Sequence, residues 1–223
     1  MSFRWTIVTA GADELLCRGE APPRLLSPAE EAFLAGLRFP LRRRKWLLGR
    51  VAAKQLLGEA LAADRGSTPL ATAITVANEP SGQPYATLDG ERLPWTLSIS
   101  HRGLHGLAVL ADAPGRTLGA DLETVEPRDP AFIRAFFTPG EVAAVAELSE
   151  GTDLVVARTW SAKEAVLKAL GVGLRRDPRE VEITGCASPA ANGWSRLTAT
   201  VGDMLMPVLW RDARGHVVTV ALA

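Results

Sequence analysis

The chain has 223 residues, of which 22% are charged, and its 25 Lys and Arg balance 25 Asp and Glu to a formal net charge of zero. That length holds one large domain or two small ones, each with a core, and the composition is that of an ordinary globular protein. Zero net charge gives no indication of bulk attraction to nucleic acid or membrane and leaves room for a local basic patch, the two cysteines make neither a disulfide framework nor a metal set, and no apolar run approaches a membrane span or a signal peptide.

Cys17 and Cys186 are expected to be buried thiols, consistent with a reducing, cytoplasmic setting. Residues 3–9 set Phe3, Trp5 and Ile7 against Arg4 and Thr6, which predicts a strand. Ser27-Pro28-Ala29-Glu30 is a helix start, with Ser at the N-cap, Pro in the first turn and Glu three residues on. The short helix it opens ends before Pro40. A longer helix over about 41–63 carries Arg42, Arg43, Arg44, Lys45, Trp46, Arg50 and Lys54. Residues 64–95 are rich in Pro, Gly and Ser and are expected to be loop, apart from a strand near Ile74–Val76. Strands over 95–100 and 107–110 are joined by a turn at His101-Arg102-Gly103. A strand over 118–125 follows the turn Ala113-Pro114-Gly115.

The order of elements then repeats. Thr138-Pro139-Gly140-Glu141 is a second capping box, opening a helix to about Leu148. A long helix over about 153–170 follows, stopped by Gly171, and then strands over 181–184, 195–201, 204–211 and 216–222, with Gly215 as a hairpin turn. The two capping boxes, and the segments His105–Ala111 and His216–Leu222, overlay at an offset of 111. Trp46 overlays Trp160 at 114, which puts Arg50 on Glu164 and Lys54 on Lys168. The expected fold is therefore α+β, with two similar halves, residues 1–112 and 113–223, related by a pseudo-twofold with a cleft between them.

Chemistry concentrates in three places. Trp160, Glu164 and Lys168 are spaced by four and share one helix face. A carboxylate and an ammonium one turn apart suit a site for phosphate and metal; the alternative is a surface ion pair with Trp160 in the core. Asp121 and Glu123 point to one face of their strand. Paired carboxylates repel unless a cation joins them, and oxygen donors without a Cys or His cluster suit Mg²⁺, or Mn²⁺. Glu164 offers a third; a solvated strand edge is the alternative. The run Arg42, Arg43, Arg44, Lys45 and Arg50 offers either an anion site beside Trp46 or a solvated face. Ser100 and His101 are strand neighbours on opposite faces, so His101 is poorly placed as a base for Ser100. They read as hydrogen-bond donors to an anion, or as a strand-end turn. There is no Gly-x-Ser-x-Gly elbow, P-loop or dinucleotide-binding glycine motif.

Several stretches together resemble the 4'-phosphopantetheinyl transferase superfamily, of the two-halved, surfactin-synthetase-activating type. They are Ser98-Ile99-Ser100-His101, Leu118-Gly119-Ala120-Asp121-Leu122-Glu123, Phe136-Phe137-Thr138-Pro139-Gly140-Glu141, Trp160-Ser161-Ala162-Lys163-Glu164-Ala165-Val166-Leu167-Lys168 and Gly171-Val172-Gly173. Arg44-Lys45-Trp46-Leu47-Leu48-Gly49-Arg50 looks like the family's first-half helix. The resemblance implies transfer of the phosphopantetheine arm of coenzyme A to a serine of an acyl, polyketide or peptidyl carrier protein, with adenosine 3',5'-bisphosphate released. It implies Mg²⁺ held by Asp121, Glu123 and Glu164, and Lys168 donating to the phosphate or leaving group. Lys163 is implied as a supporting cation. Arg44, Lys45, Arg50, Ser100 and His101 are implied as contacts for coenzyme A phosphates, and Glu164, through a water, as the group that takes the serine proton. A monomer is expected, with no nucleic-acid or membrane partner. Two departures stand out: Gln83 replaces a basic residue usual before Pro84, and Ala120 replaces a larger apolar residue. The competing classes are a non-catalytic module that docks on carrier proteins and a Mg²⁺-dependent hydrolase of a pyrophosphate-containing nucleotide.

Overall fold

The computed structural model describes all residues except 1, 12, 113–116, 148–150, 186–188 and 223, and residues 146 and 147 by backbone alone. The expected turn at Ala113-Pro114-Gly115, the thiol of Cys186 and the helix end at Leu148 lie outside the described residues. Helices and antiparallel sheets mix throughout, in two units, Met1–Gly115 and Arg116–Ala223. Among the described residues no helix is long and apolar enough to cross a membrane.

Unit 1 runs β1 (Phe3–Thr9), α1 (Glu14–Arg18), α2 (Pro28–Gly36), α3 (Pro40–Arg65), β2 (Ile74–Asn78), β3 (Pro84–Leu88), β4 (Glu91–Arg92), β5 (Thr96–Arg102) and β6 (His105–Ala111). The strands form two sheets, β1-β6-β5 and β2-β3-β4. Helix α3 starts with Pro in its first turn and stops at Gly66, whose φ of +75° is a left-handed cap. Its Ala53, Leu56, Leu57, Ala60 and Leu61 recur at helical spacing and bury against Leu97, Ala108 and Leu110 of the sheet. Residues 64–95 hold more structure than their composition suggests. Gly82, at φ +95°, turns the chain from β2 into β3, and Pro84 begins β3, where a missing N–H costs little. The turn expected at His101-Arg102-Gly103 sits later. His101 and Arg102 stay in the ladder opposite Gly106 and His105, and Gly103 with Leu104 makes the turn. Cys17 is half-buried, its thiol 3.8 Å from the Gly11 carbonyl oxygen.

Unit 2 runs β7 (Leu118–Thr124), α4 (Pro130–Phe136), α5 (Pro139–Glu147), α6 (Thr152–Ala169), β8 (Val181–Thr184), β9 (Ser195–Val201), β10 (Met204–Asp212) and β11 (His216–Leu222). One five-stranded sheet has the order β7-β11-β10-β9-β8. Helix α6 lies across it, with Ala162, Ala165, Val166 and Ala169 in a core with Leu197, Val208, Val217 and Ala221. The helix comes closest at Gly119. A Cβ there would run into the Ala165 carbonyl oxygen and sit 2.5 Å from the Ala169 nitrogen. Only glycine lets β7 and α6 meet at this distance, and that approach brings the two chemical motifs together.

Both capping boxes do more than start helices. The Glu30 carboxylate accepts from the Ser27 N–H (2.9 Å) and the Val76 N–H (3.1 Å), and pairs with Lys54 at 2.5 Å. Lys54 also donates to the Ala71 and Ile74 carbonyls. The Glu141 carboxylate accepts from the Thr138 and Ile183 N–H groups (2.8 Å each) and pairs with Lys163 at 2.8 Å, and Lys163 donates to the Pro178 and Val181 carbonyls. By its bonds, Lys54 therefore corresponds to Lys163. The overlay of Lys54 on Lys168, and with it Arg50 on Glu164, is corrected: the two tryptophans that suggested it pack in unlike surroundings. Trp46 stacks on Phe33 at 5.3 Å, whereas Trp160 packs between Phe132 and Phe136 at 5.0 Å from each.

Candidate active site

Gly119, Asp121 and Glu123 alternate onto one face of β7. The helix approach at Gly119 puts α6 against that face, so Asp121 (2% exposed) and Glu123 (5%) are buried. From α6, Lys168 reaches back to donate to Asp121 Oδ1 at 2.7 Å and to the Ala120 carbonyl at 3.0 Å, while its nitrogen stays 3.9 Å from Glu164 Oε2. The surface-pair alternative for Glu164 and Lys168 gives way to a mixed cluster in which Lys168 bonds chiefly to the strand. Its side chain keeps 30% exposure. Trp160 is the core residue expected on this face, 6% exposed in an aromatic group with Phe132, Phe136 and Phe137.

Glu164 feels the site most strongly. Burial pushes its carboxyl up to about 8, the charges of Asp121 and Glu123 push the same way, and Lys168 opposes them. Without a further cation, the cluster holds a proton on Glu164 at neutral pH. Among the described residues no group of three or more His, Cys, Asp or Glu is gathered closely enough to hold a metal as it stands. The donor chemistry nevertheless fits a hard divalent cation: three carboxylates repel one another, burial and that repulsion favour a proton on Glu164, and among the described residues no soft ligand is near.

One participant escaped the sequence reading. Arg128, just past β7, donates to Glu123 Oε2 at 2.5 Å, lies 3.6 Å from Glu126, and sits over the Phe132 ring at 5.4 Å. A cation five residues past the Glu, beyond a strand-ending Pro127, was the available signal.

Lys163 lies elsewhere. Expected as a supporting cation for the cofactor, it is 0% exposed and spends its ammonium on Glu141 and two carbonyls, so the correction is physical: no donor is left to reach a substrate. In unit 1, Arg50 is likewise enclosed. It is 7% exposed, 4.5 Å above Trp46, 3.5 Å from Glu30 and bonded to Asn78, and burial lowers its pKa to about 10 against the pull of Glu30. Arg43 donates to the carbonyls of Gly19, Leu34 and Leu37, and so ties α3 to its neighbours. Arg44 and Lys45 are half-buried; Ser100 is buried and His101 exposed, on opposite faces of β5.

The family model for the 4'-phosphopantetheinyl transferase superfamily matches residues 117–199, the stretch that holds this cluster. The 4'-phosphopantetheinyl transferase HetI of Nostoc sp. is 30% identical over 176 residues, covering 74% of this chain and 69% of HetI. The Synechocystis sp. protein slr0495, a 4'-phosphopantetheinyl transferase by name, is 30% identical over 154 residues, covering 67% of this chain but only 58% of its own length. A holo-[acyl-carrier-protein] synthase of Verminephrobacter eiseniae is 36% identical over 85 residues, 36% of this chain and 64% of that one. A crystal structure of a holo-(acyl-carrier-protein) synthase from Bacillus anthracis, in complex with CoA (3',5'-ADP), is 22% identical with a TM-score of 0.37, over 48% of this chain and 91% of that one.

Proposed function

The chain belongs to the 4'-phosphopantetheinyl transferase superfamily, and on that premise we propose that it moves the 4'-phosphopantetheine arm of coenzyme A onto a serine of an apo acyl, polyketide or peptidyl carrier protein, releasing adenosine 3',5'-bisphosphate. The observation that carries this reading is the meeting of Asp121, Glu123, Glu164 and Lys168 where β7 touches α6. In the transfer, the serine oxygen bonds to the phosphorus that bears the arm, the bond from that phosphorus to the bridging oxygen of the diphosphate breaks, and the serine loses its proton. Asp121, Glu123 and Glu164 would hold Mg²⁺, or Mn²⁺, which when bound offsets the charge that builds on the diphosphate. Lys168, anchored on Asp121 yet partly exposed, donates to the phosphate that leaves. Glu164, through a water, takes the serine proton. In unit 1, Arg44, Lys45, Ser100 and His101 are the proposed contacts for coenzyme A phosphates, and Arg50 and Lys163 leave that set because the fold encloses them. The same proposal treats the two units as copies of one repeat, which their matching Glu–Lys bonds support.

The test is the intact mass of an apo carrier protein after incubation with this protein, coenzyme A and Mg²⁺. We expect a gain of one phosphopantetheine unit that chelator abolishes and that Asp121→Ala and Glu164→Ala slow by about 100-fold or more. No gain with several carrier types, while coenzyme A still binds, would replace the reading with a docking module. Coenzyme A split in the absence of any carrier would replace it with a hydrolase.

A further inference from the structure

The proposed metal site is not an open set of acids. Each strand carboxylate already has a cation on it: Lys168 at 2.7 Å from Asp121, and Arg128 at 2.5 Å from Glu123. The two cations differ in freedom. Lys168 hangs from a flexible stem with 30% of its side chain exposed. Arg128 is 15% exposed and braced on three sides. Pro127 precedes it. Asp129 follows, capping the Ala131 N–H at the start of α4. The guanidinium lies over Phe132, which packs edge-on against Trp160 of α6 at 5.0 Å. Among the described residues its Nε is buried without a hydrogen-bond partner, so the group is held by Glu123, by the more distant Glu126 and by the ring. A planar guanidinium seated on an aromatic face does not swing away as an ammonium does.

A divalent cation that comes to Glu123 therefore meets a fixed positive charge a few ångströms away. A diphosphate arriving with the metal brings negative charge that offsets this repulsion. We propose that Arg128 makes metal capture depend on the anionic substrate: it weakens the site for the free ion and so couples metal binding to diphosphate binding. Coupling of this kind is reciprocal, so the diphosphate also binds more tightly once the metal is present. Arg128 is a positioning residue for Glu123 and needs no contact with the reacting atoms. The inference rests on the proposed metal role of Asp121, Glu123 and Glu164, and goes beyond it.

The experiment measures Mn²⁺ binding to the full chain by electron paramagnetic resonance, with Mn²⁺ alone, with inorganic pyrophosphate and with coenzyme A. It compares wild type, Arg128→Gln and Arg128→Lys, each checked for folding by circular dichroism. In the wild type, pyrophosphate and coenzyme A are each expected to tighten Mn²⁺ binding at least tenfold, equivalent to about 1.4 kcal/mol. In Arg128→Gln, Mn²⁺ alone binds about tenfold tighter than in wild type, and the gain from either anion shrinks by the same factor. Arg128→Lys keeps the charge on a freer stem and falls between wild type and Arg128→Gln. Equal Mn²⁺ affinity in Arg128→Gln and wild type, or Arg128→Lys behaving like Arg128→Gln, overturns the inference and leaves the transferase reading standing. Coupling with pyrophosphate but none with coenzyme A supports the role of Arg128 and overturns coenzyme A as the substrate. Absence of Mn²⁺ binding by every form, with either anion present, overturns both.

Discussion

The two units share a frame and differ in chemistry. In each, a capping-box glutamate is bonded to its own N-cap N–H, to a strand N–H and to a buried lysine of the long helix, and that lysine donates to two carbonyls at the entry to the strand. The first strands match as well: Thr9 pairs with His105 in unit 1, and Thr124 with His216 in unit 2. Counting back from those threonines, the places of Asp121 and Glu123 are taken by Thr6 and Val8 in unit 1. Counting on from the lysines, the places of Glu164 and Lys168 are taken by Gln55 and Glu59, an exposed amide–carboxylate hydrogen bond of 3.2 Å. So among the described residues the frame is present twice and the carboxylate cluster once. The comparison also separates two residues that stand together in the motif. Lys163 and Glu164 are neighbours, but a helix turns about 100° per residue. One therefore faces the frame and the other the site.

The comparison breaks most sharply at the shared glutamates. Removing one partner of a buried ion pair strands the other, at about 3–5 kcal/mol. Glu30 faces two buried cations, Lys54 and Arg50, whereas among the described residues Glu141 has the single buried cation Lys163. Glu30→Gln should therefore destabilise at least as much as Glu141→Gln, both by several kcal/mol in urea unfolding. Hydrogen exchange should report each loss in its own unit. A harmless Glu30→Gln beside a damaging Glu141→Gln would show that the two frames are alike in geometry only.

The glycines give a smaller and cleaner contrast. Gly106 in unit 1 and Gly119 in unit 2 each let a strand touch the long helix. A Cβ at Gly106 would lie 2.6 Å from the Leu48 carbonyl carbon, and one at Gly119 would lie 2.5 Å from the Ala169 nitrogen. Overpacking of this kind costs about 1–3 kcal/mol or more. Gly106→Ala and Gly119→Ala should both lose stability, Gly119→Ala the more because its Cβ would also run into the Ala165 carbonyl oxygen, but only Gly119→Ala should lose Mn²⁺ binding, because it lifts Glu164 and Lys168 away from Asp121. Equal loss of Mn²⁺ binding in both would mean that helix placement at Gly119 is not what assembles the cluster.

What the sequence showed and what it hid divide along physical lines. Strands β8, β9 and β11 were legible to the residue, because alternating apolar residues between glycine-marked turns leave little choice of bounds. Asp121 with Glu123, and Glu164 with Lys168, were legible as pairs because each pair obeys one period. That the two pairs meet depends on the strand–helix approach at Gly119, which no local pattern encodes. The pairing of Glu30 with Lys54 and of Glu141 with Lys163 was hidden for the same reason: the capping signal was visible, but its buried partner lies 24 residues on in unit 1 and 22 in unit 2. The hairpin of β3 and β4 was missed because its short strands around Pro84 and Gly90, β3 mostly half-buried and β4 exposed, carry loop composition. Arg128 was missed because an arginine in a loop has no periodicity to mark it.

The smallest effect is a slope against pH, and it isolates the one carboxyl that unit 1 replaces with Gln55. Burial and the charge of Asp121 raise Glu164 from 4.5 to about 8 in the folded, metal-free protein. The folded state thus holds a proton that the unfolded state releases, and the stability gained is complete below about pH 4.5 and is lost as pH rises to about 8. Carboxylates whose pKa is depressed act in the opposite sense, so the raw melting temperature mixes both trends. Glu164→Gln keeps the shape of the protonated acid and removes its titration. The wild-type melting temperature minus that of Glu164→Gln, in chelator, should therefore fall by several degrees between pH 5 and pH 8, since each kcal/mol is worth roughly 2–4 °C in a chain of this size. Mn²⁺ competes with that proton, so its affinity should rise over the same interval in wild type. A flat difference would mean that Glu164 titrates like a solvated carboxyl, and that the chemical distinction between the two long helices is weaker than their geometry implies.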